Sequence, residues 1–62
     1  MRSFEEMIKE RKSLCSGSFF ARIIGYNVGW VNQAEHGKVK VSNRFLMNYE
    51  DGLEKIKKIV KN

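Results

Sequence analysis

In this 62-residue chain, one histidine, one cysteine and scattered carboxylates supply no nucleophile–base pair and no metal-ligand spacing. Covalent, acid–base and metal chemistry are therefore not expected, and neither is an enzyme, a metal or a cofactor. The residues that could do chemistry do recognition instead. The segment Asn27-Val-Gly-Trp-Val-Asn-Gln33 carries amides and methyls but no charge. Asn and Gln can bond the N6 and N7 edge of adenine bidentately, and a Val methyl can meet a thymine methyl. Asn27, Val28, Gly29, Asn32 and Gln33 are thus the candidate base-contacting residues. Gly29 weakens a helix by up to ~1 kcal/mol relative to alanine, which is either tolerated or a concession to close approach. Directly after this segment comes a basic loop, His36-Gly-Lys-Val-Lys-Val-Ser42. Lys38, Lys40 and Arg44, with His36, are the candidate phosphate contacts, joined by the helix start at Ser16, Gly17 and Ser18, where free backbone N–H groups favour anions. Trp30 either donates its indole N–H to phosphate or covers the core beside Phe19.

Two short helices must hold these residues in place. Ser16 can cap a helix of about Gly17 to Ile24, with Phe20, Ala21 and Ile24 facing inward. Gly25 supplies the positive φ that stops it, and Asn27 can cap a second helix of about Val28 to Glu35, with Val31 and Ala34 inward. Gly37 ends that helix in the same way. Ala21 offers the small side chain needed where two helices cross over a tight turn.

Upstream, Ser3-Phe-Glu-Glu6 is a capping box that opens a helix of about Phe4 to Leu14. Phe4, Met7, Ile8, Arg11, Leu14 and Cys15 recur at helical spacing. Cys15 reads as a small buried hydrophobe. Phe19 and Ile23 either pack on this first helix, the preferred reading, or form a patch for a partner. Downstream, Ser42 can cap a helix of Asn43 to about Asn48 or Tyr49 that buries Phe45, Leu46 and Tyr49. Asp51-Gly52 is expected to break it. A fifth helix over 53–61 then puts Leu53, Ile56 and Val60 on one face with Ile59 beside them. That face is the candidate dimer interface, or else it finishes the core.

The spacing of Ser16, Ala21, Gly25, Val31, Glu35, Gly37 and Ser42 resembles that of the Cro/repressor-type (lambda-repressor-like, XRE-family) helix-turn-helix proteins. That family includes small phage repressors, Cro proteins and many bacterial regulators and antitoxins. The resemblance runs from roughly Met7 to Leu53 and is closest between Ser16 and Leu46. It implies an all-α, compact five-helix lambda-repressor-like domain with a central helix-turn-helix at about 16–36, whose second helix enters the DNA major groove. It also implies structural roles for Ala21, Gly25 and Gly37, and a pairing of Arg11 with Glu35, against the simpler reading of two solvated residues. The chain departs from the family in its short, glycine-free Ser13–Ser16 link, in Cys15 where a large aliphatic is usual, and after Leu53.

Composition sets the outer bounds. The chain amounts to one domain, residues 1–62, small enough that helix packing or a partner subunit must stabilise it. One cysteine permits no internal disulfide. Twelve Lys and Arg against seven Asp and Glu give a formal charge of +5, as a polyanion-binding surface requires, although this does not separate DNA from RNA or anionic lipid. No apolar run approaches the roughly 20 residues of a bilayer span, and the N-terminus lacks a signal-peptide pattern. The expected location is the cytoplasm of a bacterial cell or phage-infected host, at the nucleoid.

Together these features predict a sequence-specific double-stranded DNA-binding regulator. The expected form is a phage-type Cro-like repressor on a pseudo-palindromic operator, homodimeric at least on DNA, with no membrane or small-molecule partner. The alternative is an antitoxin or other protein-interaction module that autoregulates through the same helices. An RNA or nonspecific nucleic-acid binder is a third reading.

Overall fold

The computed structural model describes residues 3–60, with side chains through Ile59. Among these residues are four helices and no strand: α1 (Phe4–Leu14), α2 (Gly17–Ile24), α3 (Val28–Glu35) and α4 (Asn43–Val60). The first three have the expected bounds. The Ser3 hydroxyl accepts from the Glu6 N–H while the Glu6 carboxylate accepts from the Ser3 N–H, completing the capping box of α1. Ser16 and Asn27 cap α2 and α3 by accepting from Phe19 N–H and Trp30 N–H. Gly25 and Gly37 both have φ in the left-handed region, 77° and 73°. At each, the following residue's N–H reaches back to the carbonyl five residues earlier, Tyr26 to Ala21 and Lys38 to Gln33. This is the Schellman closure that lets a helix end within one residue.

The C-terminal third departs from expectation. Instead of a fourth and a fifth helix there is one continuous α4 through Asp51-Gly52. Gly52 serves packing here, not a break. A Cβ added to it would lie 2.5 Å from Ile24 Cγ2 and 3.0 Å from Phe20 Cζ, so α4 can seat against α2 only where a side chain is missing. Seating it makes the energetic cost of a helical glycine, about 1 kcal/mol, tolerable.

The core is Met7 from α1, Phe20 and Ala21 from α2, Val31 and Ala34 from α3, and Phe45, Tyr49, Leu53 and Ile56 from α4. Aromatic rings supply much of it: Phe20 and Tyr49 lie 4.5 Å apart, and Phe45 makes edge contacts with Phe4, Tyr26 and Trp30. Two expectations are corrected by this arrangement. Leu53 and Ile56 are fully buried within the chain's own core, so neither is free to join two subunits. Of the expected dimer face only Ile59 is exposed, and the Val60 side chain lies outside the described residues. Phe19 and Ile23 also part company, Ile23 packing on the core while Phe19 is 47% exposed. None of the described helices is long and apolar enough to cross a membrane.

Candidate nucleic-acid interface

The base of the site is a buried ionic cluster. Arg11 of α1 reaches α3, donating from Nε to Glu35 Oε2 at 3.0 Å and from Nη2 to Glu35 Oε1. Its Nη1 donates to the Cys15 carbonyl at 3.1 Å, satisfying the end of α1. The Tyr49 hydroxyl of α4 donates to the same Glu35 carboxylate. The side chains of Arg11 and Glu35 are only 8% and 6% exposed, and no buried side-chain polar atom among the described residues lacks a partner. Burial alone would lower the Arg11 pKa, but its bonds to Glu35 and Tyr49 outweigh that and raise it. Burial, reinforced by the bond to Glu35, holds the Tyr49 hydroxyl well above its ordinary 10.0. Burial likewise pushes the Cys15 thiol up, despite the nearby Arg11 charge, and so favours the thiol over the thiolate; the side chain is half-buried, not fully buried as its small apolar reading had it. Two elements, α1 through Arg11 and α4 through Tyr49, thereby converge on the last residue of α3 and fix the direction of that helix.

With its inner face and its end so fastened, α3 turns Val28, Gly29, Asn32 and Gln33 outward, all exposed. The start of α2 lies beside that face. Gly17 and Ser18 share a cleft of about 360 Å³ with Val28, Gly29 and Asn32, floored by Arg11, Val31 and Glu35. Residues expected at phosphate and residues expected at bases are therefore brought together. Gly29 also has a local reason to be glycine: a Cβ there would stand 3.2 Å from Asn27 Oδ1, the oxygen that caps the helix. That oxygen is already committed to Trp30 N–H, so Asn27 keeps only its amide N–H groups for a ligand. The Ser16 hydroxyl oxygen is committed to a cap in the same manner.

The loop from α3 to α4 is built on alternation. Val39 and Val41 pack against the core, which turns Lys38 and Lys40 to solvent, and Ser42 caps α4 by accepting from Phe45 N–H at 3.1 Å. Arg44 is exposed in the first turn of α4. His36 Nδ1 lies 2.7 Å from the Asn32 carbonyl and so must donate to it, leaving Nε2 to face outward.

Trp30 is the residue whose placement differs most from its expected role at phosphate. Its ring stacks on Tyr26 at 5.6 Å and meets the edge of Phe45 at 4.9 Å, half-buried on the core side of the α2–α3 turn. The Tyr26 hydroxyl in turn accepts from Asn48 of α4. Trp30 thus braces α3 against α4, not beside Phe19 as the packing alternative had it.

The distribution of charge carries a signal that the segment-by-segment reading missed. Between residues 12 and 49 the sequence has a single carboxylate, Glu35, and that one is buried under Arg11. The same stretch exposes Lys12, Arg22, Lys38, Lys40 and Arg44. Every other acidic residue lies on α1 or on α4 from Glu50 onward. Lys12 and Arg22 were not among the expected contacts; what marks them out is that they fall in the run from 12 to 49 that has no exposed acid. No group of His, Cys, Asp and Glu among the described residues could hold a metal ion. No protein-family model, no curated protein and no solved structure matches this chain.

Proposed function

We propose that this chain is a sequence-specific double-stranded DNA-binding regulator of the Cro/repressor helix-turn-helix type, in which α2 and α3 are the helix-turn-helix of a lambda-repressor-like domain. The observation that carries the reading is the outer face of α3. It is exposed and uncharged, in a chain of net charge +5, and it is flanked by cations with no exposed acid among them. A helix meant only for water would carry charges there, whereas a helix meant for base edges needs neutral donors, acceptors and methyls. On this reading Asn32 and Gln33 bond base edges, Val28 meets a methyl, and Gly17, Ser18, Lys38, Lys40 and Arg44 hold phosphates on either side.

A single eight-residue helix contacts too few base pairs for useful discrimination. Two copies related by a two-fold axis, with readers about 34 Å apart, would read a pseudo-palindromic operator from one side of the duplex. Repression then follows from occupancy of promoter DNA. The second reading, an antitoxin or interaction module, draws on the exposed Phe19 and Met47, either of which could meet another protein.

The deciding experiment is selection of bound duplexes from a random pool. A two-fold-symmetric consensus is the expected result. Retention of all sequences alike would overturn the reading, and a tightly co-purifying partner with no duplex affinity would replace it with the second.

A further inference from the structure

From the surface of α4 we infer where the two copies meet: an antiparallel α4–α4 contact centred on Met47. The inference rests on the proposed two-fold reading of DNA and replaces the Leu53–Ile56 face, which the core consumes. Met47 is the most exposed large hydrophobic residue of the described chain, at 64%. It stands at the lip of an apolar cleft of about 240 Å³ between α1 and α4, lined by Met7, Asn43, Leu46, Met47 and Glu50. An unbranched, flexible side chain beside a shallow apolar cleft suits a matching methionine from a second copy.

Charge complementarity selects a second copy over other occupants. Arg44 lies one turn before Met47 and Asp51 one turn after it. At 100° per residue both fall on the same flank of the helix, about 60° and 40° from Met47. In an antiparallel pair with its two-fold axis at Met47, equal flanks face each other. Arg44 is then about 4.5 Å along the axis on one side of centre, and the partner's Asp51 is about 6 Å along on that same side, a mismatch of one residue's rise. The symmetry makes the pair twice, as an isologous contact must. Arg44 and Asp51 are both exposed, and neither has an ion-pair partner among the described residues. The fork of Arg44 has donors enough for a carboxylate and a phosphate together, so its place beside DNA is compatible with this contact.

The test is site-directed cross-linking without DNA. In a Cys15→Ser background, Met47→Cys is compared with Ile59→Cys, which is similarly exposed at 59% but lies off the proposed axis. Under diamide, Met47→Cys should form a covalent dimer at least tenfold faster than Ile59→Cys. Adding Arg44→Asp should slow it, and adding Asp51→Arg to that variant should restore it. Equal or faster cross-linking at Ile59, or indifference to the charge reversals, overturns the inference. Because DNA is absent from this assay, its failure is separate from failure of the operator reading, which the duplex selection tests independently.

Discussion

The C-terminal end of α3 and its outer face differ in how far their polar groups are satisfied within the chain. At the end, Glu35 accepts from Arg11 and Tyr49, and Arg11 also bonds the Cys15 carbonyl, so every nitrogen and oxygen of the two charged groups has a partner within the chain. On the outer face, the side chains of Asn32 and Gln33 have no hydrogen bond to any other described residue. Altering the first region breaks bonds that hold the fold, whereas truncating Asn32 or Gln33 in the second breaks none. On the proposed reading, that contrast is the expected division between an element that holds a reader and the surface that reads.

The largest break in the comparison comes from Glu35→Ala. It leaves the buried Arg11 charge without its counter-ion, held only by the Cys15 carbonyl, and the Tyr49 hydroxyl without its acceptor, at a cost of about 3–5 kcal/mol. In a domain this small such a loss leaves much of the chain unfolded at 25 °C, which urea titration followed by circular dichroism will read. Tyr49→Phe is milder: it removes one hydrogen bond to a carboxylate, worth about 1.5–3 kcal/mol. It also changes the pH profile. The folded Tyr49 pKa is raised above 10.0, so its contribution is fully present below pH 10.0 and is lost as pH rises beyond that. Cys15, raised above 9.0, acts in the same direction from a lower starting point. Wild type should therefore lose stability from about pH 9 upward. Tyr49→Phe, though less stable at neutral pH, should lose less of its remaining stability above pH 10.0.

Gln33→Ala sharpens the comparison from the other side. It should leave the melting curve unchanged and weaken binding to the selected duplex by about 1–3 kcal/mol, with little effect on random DNA. Lys40→Ala should weaken both alike and reduce the salt slope by about one unit. A shift in melting temperature for Gln33→Ala, or equal losses on selected and random DNA, would show that the two regions are not separable in this way.

How far the sequence revealed this arrangement depends on the kind of information each feature needs. Helix bounds were readable because caps are local: Ser3, Ser16, Asn27, Gly25 and Gly37 act within a few residues of where they stand. The outward α3 face was readable because periodicity assigns faces once Val31 and Ala34 are taken as inward. Gly52 was misread because its meaning is tertiary. Asp-Gly resembles a turn in isolation, and only the approach of Ile24 and Phe20 turns it into a notch inside a helix. The assignment of Leu53 and Ile56 to a dimer face followed from that break, since a separate fifth helix has a face to spare and a continuous α4 does not. Tyr49 as a third member of the Arg11–Glu35 cluster, and Trp30 against Tyr26 and Phe45, depend on contacts between segments that no spacing rule reports.

The smallest predicted effect concerns an ion pair between α1 and α4. Lys57 Nζ lies 3.0 Å from Glu10 Oε2, joining α4 to α1, with the two side chains about a third and a quarter exposed. Its one contact is as short as the Arg11 Nε–Glu35 bond, yet water and salt screen it and both side chains lose freedom to form it. Lys57→Ala should therefore cost only about 0.2–1 kcal/mol, shrinking further at high salt. The loss of the Glu35 carboxylate should be far less sensitive to salt, since its partners are shielded from solvent. Measured side by side across ionic strength, the two variants test whether burial, and not bond length, sets what a charge pair contributes to this small helical domain. A Lys57→Ala cost approaching that of Glu35→Ala would sink that distinction.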